Sequence, residues 1–410
     1  MTDGGALEVV LAEQTMRAVV LREPRRLELV SVPRPRLTAP EHVLIEVRTC
    51  GICGSDLRYW AGENPWALHT LGRHVDNPPN LTLGHEFAGV VVAVNDARYE
   101  QLLGQRVGAQ AFRTCGVCRL CRTGHENLCP STLHIGHAQG WGEVDFYPGA
   151  YADTCLAWAD LVFPMDDAVA FEEEALRDFL GVAVHAVGRA DLRPGATVLC
   201  IGGGPVGLSI AQVALARGAA EVFVSDPAPV ARDALARTAG VLKQRGGTPA
   251  GGSPGVRVVE GLAPSASMTT SAPHATQGTL VAIDPTQVAL AEALAGRRCD
   301  AIFDTVGTPA TTVEALTLLA EAGTYVNLAV HDAPLALNAL ALGSERRMTT
   351  SSNALYRDER EAHALIASRA VAMRPMITHR FPLTAFQEAY DLLLAEPKQA
   401  YKVVFVSGQV

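Results

Sequence analysis

Four cysteines, Cys115, Cys118, Cys121 and Cys129, follow the spacing C-x2-C-x2-C-x7-C. Four thiolates this close together suit tetrahedral zinc, which accepts an all-cysteine set at about 2.3 Å. A disulfide cluster is the alternative. No secretory signal precedes the group and intracellular thiols stay reduced, so structural zinc is the expectation. A closed four-thiolate site does no chemistry, and the reacting groups must be sought elsewhere in the chain.

Gly202-Gly203-Gly204-Pro205-Val206-Gly207 matches G-x-G-x-x-G. The pattern means little alone, but here a short apolar run precedes it and an apolar helical pattern follows. In that setting Gly202 permits a tight turn, Gly204 lets backbone approach a pyrophosphate, and Gly207 lets helix pack on sheet. Pro205 and Val206 belong to the turn that leads into the helix, whose N-terminus faces the phosphates. Asp226 lies 19 residues beyond Gly207, at the end of the next strand. A carboxylate there accepts hydrogen bonds from ribose hydroxyls and repels a 2′-phosphate, which favours NAD over NADP. A surface turn before Pro227 is the plainer role for it. Arg232, one turn into the next helix, flanks the adenine or is simply solvated; reaching the ribose, it would weaken the NAD preference.

Two short motifs add to these, Gly51-Ile52-Cys53-Gly54-Ser55-Asp56 and Gly84-His85-Glu86. Each supplies soft or nitrogen donors beside a carboxylate, and each is weak alone.

The elements that position these groups fall into two styles. From Met16 to about Phe163, short apolar runs such as His42–Val47 and Phe87–Val94 are split by Gly and Pro, which reads as a β-rich lobe. After Phe171 the pattern alternates: strand Ala196–Ile201, glycine turn, helix Leu208–Arg217, strand Glu221–Ser225, then strands Ala301–Asp304 and Thr324–Leu328. Such alternation builds a parallel sheet. A last helix near Ala385–Leu394 and strand Lys402–Val406 are expected to return to the first lobe. Residues 241–281, rich in Gly, Ala, Pro, Ser and Thr, read as a surface insertion with one edge strand within Gly255–Glu260. Residues 1–15 read either as a loose extension or as an upstream start-site artefact.

The 410 residues suffice for two domains, and 48% hydrophobic with 19% charged residues is a globular composition. The formal charge of −9 argues against nucleic acid or anionic lipid as partners. No apolar run reaches membrane-span length, and the default location is the cytoplasm.

Taken together and in this order, the motifs resemble the zinc-dependent medium-chain alcohol and polyol dehydrogenases, the group that includes sorbitol-, threonine- and formaldehyde-dehydrogenase-like enzymes. Gly149-Ala150-Tyr151-Ala152-Asp153 and Lys402-Val403-Val404 extend the resemblance to the C-terminus. It implies an α/β protein with a GroES-like β-rich catalytic domain and a Rossmann doubly wound parallel sheet. The implied division is 1–182 (zinc lobe 113–130), a cofactor domain 183–351 and a catalytic return 352–410. It also implies a zinc-dependent oxidoreductase with two zinc ions and NAD, passing hydride from a small-molecule alcohol to the nicotinamide.

Position by position, Cys53 and His85 match the family's catalytic zinc ligands, and Glu86 matches an acid that binds zinc or supports its ligands in different members. The remaining ligand position falls on Asp178, where Cys or Glu is commoner and a formaldehyde-dehydrogenase-like branch has Asp; an acid beside the zinc or on the helix surface is the alternative. Ser55 matches a hydroxyl that takes the substrate proton, or else caps a turn. Asp56 matches an acid that orients a zinc ligand. Where some relatives pass the proton on through a histidine, this chain has Arg58, which cannot give up its proton at working pH. His185 falls beside the nicotinamide pocket in relatives, though a lone histidine on an apolar helix reads better as a core residue. Cys50, Cys155, Cys200 and Cys299 read as small buried apolar residues.

Cys53 and His85 are separated by 31 residues. The stretches Tyr59–Trp66 and His69–Asp76 between them mix aromatic and polar groups, which suits either a pocket for a hydroxylated or anionic molecule or a surface loop. The expected substrate is a secondary alcohol of a polyol, sugar or amino alcohol, with formaldehyde or a primary alcohol, or a threonine-dehydrogenase-like role, as alternatives. Metal-free nicotinamide-binding relatives lack the Cys53 and His85 equivalents, and both are present here. The resemblance further implies a homodimer or homotetramer.

Overall fold

Alternating and near-continuous apolar runs sort the chain into two large sheets. The structure, a computed structural model, describes residues 14–246, 278–329, 331 and 333–407, with the backbone of Leu7–Glu8 and Arg257–Val259. In the first sheet, Val162–Pro164, Arg106–Ala109, Glu86–Val94, His42–Gly51, Lys402–Val406 and Ile377–Phe381 lie side by side. Thr154–Trp158 also pairs with His42–Gly51. The C-terminal strand Lys402–Val406 runs antiparallel to His42–Gly51, with Val404 opposite Gly51. Thr15–Glu23, Arg26–Pro33 and Leu81–Thr82 form a smaller sheet beside it.

The second sheet is parallel throughout. Its order is Arg257–Val259, Thr279–Ile283, Glu221–Ser225, Thr197–Ile201, Cys299–Asp304, Leu319–Asn327 and Arg347–Thr350. Its central strands are apolar on both faces, as parallel strands covered by helices must be. Gly202 ends the strand Thr197–Ile201, from which the chain winds outward both ways; ligands of such sheets bind at this switch point. Gly202 itself has φ of +89°, a conformation that costs other residues strain.

Some elements differ from the reading above. The helix after the glycine turn begins at Pro205, not Leu208, so the last three residues of the motif are already helical. Proline at the first helical position loses no hydrogen bond, which is why the helix starts there. Helices Pro309–Leu318 and Tyr356–Ala367 are not among the elements expected above. Residues 241–246 complete the helix Pro229–Gly246, and 279–281 open the strand Thr279–Ile283. Within 247–277 only Arg257–Val259 is described, as an edge strand paired with Thr279–Ile283; the rest of the expected insertion, like most of residues 1–15, lies outside the described residues. Among the described residues no helix is long and apolar enough to cross a membrane.

Candidate active site

The strand His42–Gly51 delivers Cys53 to the start of the helix Gly54–Trp60, where Cys53 is the N-cap residue. Asp56, in the first turn of that helix, accepts the Cys53 N–H at 2.9 Å and so fixes the cysteine's backbone. His85 and Glu86 enter at the head of the strand Glu86–Val94. Gly84 has φ of +89°, and a side chain there would overlap the Tyr151 ring and the Cys50 sulfur. Glycine is therefore what lets the chain turn sharply enough to aim His85 and Glu86 back at Cys53.

Cys53, His85 and Glu86 bring one ligand atom each to within 4.8 Å of one another. Ser55 Oγ lies 3.5 Å from His85 Nε2, and Asp178 Oδ2 lies 4.0 Å from the same nitrogen. On the other side of the ring, His85 Nδ1 stands 3.4 Å from Asp56 Oδ1. That contact sets the ring between the Asp56 carboxylate on its Nδ1 side and Ser55 and Asp178 on its Nε2 side, the orientation a metal-binding imidazole needs. One sulfur, one nitrogen and two carboxylates suit zinc, and two acids make a harder donor set than two thiolates.

Asp56 is fully buried. It also accepts from the Tyr151 hydroxyl at 2.9 Å. Burial alone would raise its pKa, but His85 and the Cys53 and Tyr151 donors hold it below the usual carboxylate range. Asp178 sits in the first turn of the helix Arg177–Arg189. Its neighbour Arg177 anchors that turn, buried between Glu174 and Glu359 and donating to the Ala109 carbonyl.

Three groups that the sequence did not single out complete the surroundings. Lys402 Nζ lies 2.5 Å from Glu86 Oε2 and donates to the Ile52 carbonyl at 2.8 Å, with both charged side chains at 3% exposure or less. Burial would drive the ammonium's pKa down; Glu86 and the Cys53 sulfur more than offset this, and it is raised. His134 and His137 stack at 4.0 Å beside the ring of His85, which lies 4.5 Å from that of His137. His137 is 9% exposed, and neither of its ring nitrogens has a hydrogen-bond partner among the described residues. An unpartnered buried polar atom costs about 1–3 kcal/mol. Histidines at the end of a two-residue strand and in the turn after it give no periodic or spacing signal, so sequence alone could not place them.

Other expected groups fall elsewhere. Tyr59 and Trp66, offered as pocket lining, are core residues at 0% and 5% exposure, with the Tyr59 hydroxyl donating to Asn64. Arg58 is tied to Glu63 at 2.7 Å. His185 lies against Asp358 at 2.8 Å and near Asn127 at 3.4 Å, a part-buried position with its polar atoms engaged. Cys50, Cys155, Cys200 and Cys299 are free and buried.

The four-cysteine lobe holds its sulfurs at separations of 3.5, 3.6, 3.9 and 4.0 Å. A tetrahedron with zinc about 2.3 Å from each sulfur has edges of about 3.8 Å. The Cys118 and Cys121 N–H groups point at the sulfurs of Cys115 and Cys118, at 3.4 and 3.5 Å, and the N–H groups of Val117 and Cys118 lower the pKa of the Cys115 thiol. All four thiols are free, so the disulfide alternative fails.

At the glycine turn, a side chain on Gly204 would meet nothing within 4 Å, which leaves open space before the helix N-terminus. Asp226 accepts from the Gly203 and Ala228 N–H groups, both at 2.8 Å, and so stands fixed beside that space. Arg232 pairs with Asp284 at 2.8 Å and donates to the Asp226 and Pro227 carbonyls. Its charge is therefore engaged away from the Asp226 carboxylate. The turn, the helix end and the acid fit a dinucleotide without a 2′-phosphate.

Comparison with known proteins agrees with this geometry. Residues 39–167 match the alcohol dehydrogenase GroES-like domain, and residues 277–404 match the zinc-binding dehydrogenase family. The chain is 35% identical to a sorbitol dehydrogenase of Bacillus subtilis (strain 168) over 221 residues, 54% of this chain and 58% of that one. It is 39% identical to an L-threonine 3-dehydrogenase of Chelativorans sp. (strain BNC1) over 227 residues, 55% and 61% of the two chains. These matches thus span about three fifths of the curated relatives' length. An alcohol dehydrogenase from Thermus sp. ATN1 superposes with a TM-score of 0.73 at 25% identity, covering 95% of this chain and 99% of its own. The β-rich first lobe is therefore GroES-like, and the parallel sheet is a Rossmann domain.

Proposed function

From the premise that this chain belongs to the zinc-dependent medium-chain dehydrogenase family, we propose that it oxidises a secondary alcohol of a polyol, sugar or amino alcohol with NAD. The observation that carries the reading is the convergence of Cys53, His85 and Glu86, with Ser55 and Asp178 at the free nitrogen of His85. Zinc bound there would supply a Lewis acid that makes an alcohol more acidic, and NAD at the glycine turn would accept the hydride.

The chain's own groups do the rest. Cys53, His85, Glu86 and Asp178 hold the metal, while Cys115, Cys118, Cys121 and Cys129 hold a second zinc with no chemical role. Ser55 takes the substrate proton. Arg58 cannot pass it on; water or Glu86 would carry it away, and bound NAD would offer a ribose hydroxyl as a further acceptor. Gly202, Gly204, Pro205, Val206 and Gly207 cradle the pyrophosphate, and Asp226 selects the unphosphorylated ribose. In this reading residues 1–182 and 352–410 form the catalytic unit and 183–351 the cofactor unit, in a cytoplasmic homodimer or homotetramer. Asp178 in the ligand position favours a second reading, a formaldehyde- or primary-alcohol-active enzyme.

The test is a panel of polyols, sugars, amino alcohols and simple primary and secondary alcohols with zinc-replete protein, read as reduced nicotinamide with NAD and NADP in parallel. Turnover of a secondary alcohol with NAD is the expected result. Turnover of primary alcohols alone would move the assignment to the second reading, and a preference for NADP would remove the role given to Asp226.

A further inference from the structure

His137 presents the feature least explained by the site as described. It is a buried imidazole with both nitrogens unpartnered among the described residues, yet it stands in a continuous stack of rings. Tyr356, Phe112, His134, His137 and Tyr59 follow one another at centroid spacings of 5.7, 6.1, 4.0 and 4.7 Å. The stack passes His85, whose ring lies edge-on to both histidines. One nitrogen of His137 lies within 4.8 Å of a ring nitrogen of His85 and a carboxylate oxygen of Asp56. His134 directs Nδ1 to the Ile135 carbonyl at 2.7 Å; a carbonyl only accepts, so Nδ1 carries the proton and Nε2 remains an acceptor.

The stack is rigid, since rings packed on both faces cannot turn to find other partners. A buried donor and acceptor held in place beside His85 call for a partner, which a bound ligand or a trapped water supplies. Such a ring discriminates strongly between a ligand that completes its hydrogen bonds and one that leaves them unmade. A hydroxyl, both donor and acceptor, matches a neutral imidazole. Resting on the alcohol-dehydrogenase reading of the site, we infer that His137, backed by His134, binds a second hydroxyl of the substrate, next to the one that is oxidised. His137 thus acts as a specificity-determining residue.

Butane-2,3-diol and butan-2-ol differ only in that second hydroxyl and make a matched pair. In zinc-loaded protein, His137→Phe keeps a flat ring in the stack but removes both polar atoms. Its kcat/KM for the diol should fall about 10- to 100-fold while that for butan-2-ol stays within about twofold. His137→Gln, which restores a donor and an acceptor, should recover part of the preference. Equal losses on both substrates, or no loss on the diol, would overturn the inference and assign His137 to packing or a trapped water. Saturation-transfer NMR of the two alcohols on the NADH-loaded protein reads the same difference without turnover. If the wild type turns over neither alcohol but binds the diol better than butan-2-ol through His137, the reaction assignment fails and the subsite stands. If it binds both alike, the subsite fails.

Discussion

At the scale of single residues, the site depends on charges buried in pairs. Burial, with Asp178 nearby, raises the pKa of the Glu86 carboxyl, and Lys402, reaching it from a strand at the far end of the chain, opposes that rise. Removing one member of such a pair leaves the other uncompensated, at a cost of about 3–5 kcal/mol. Lys402→Met is accordingly expected to lower the unfolding free energy in urea by that amount. The double variant with Glu86→Gln should recover much of the loss, and a loss from Lys402→Met below about 1 kcal/mol would mean the pair is not buried as described. Lys402 was visible in sequence only as part of a matching tripeptide. Nothing near it in the chain identifies its partner, because the contact exists only once the last strand has joined the first sheet.

At the scale of elements, short-range geometry made the metal lobe legible in advance. Cys115, Cys118 and Cys121 are three residues apart, and local turns suffice to bring their sulfurs together. Cys118→Ser is therefore expected to lower bound zinc from two ions per chain to one and to reduce thermal stability, while the metal at Cys53 and His85 remains. Loss of both ions together would show that the two sites are not independent. The glycine turn was legible for the same reason, its strand, turn and helix being contiguous. The helix after Cys53 and the segment that follows it were not. Their mixture of aromatic and polar residues reads as a pocket wall, yet Tyr59 and Trp66 fill the core, and the polar groups beside His85 come from His134 and His137 instead. Composition does not tell which face of a segment is turned inward.

At the scale of the whole molecule, two adjacent residues of the returning segment tie the candidate metal site to the cofactor turn. The Tyr401 hydroxyl donates to the Gly203 carbonyl at 2.8 Å, and Lys402 holds Glu86. The chain thus folds back so that Ile377–Phe381 and Lys402–Val406 join the first sheet, which carries Cys53 and His85 at its strand ends, while the parallel sheet carries the glycine turn. Alternation of strand and helix gave that second half in outline, whereas Asp178, Tyr151 and Lys402 met the motif residues only through tertiary packing. The central claim is that Cys53 binds a metal the reaction requires and takes no part in holding the dinucleotide. Zinc content, NAD binding and alcohol turnover measured together on Cys53→Ala test it most directly. The account predicts one zinc per chain instead of two, NAD binding unchanged, and turnover abolished. Full activity in the variant would contradict it.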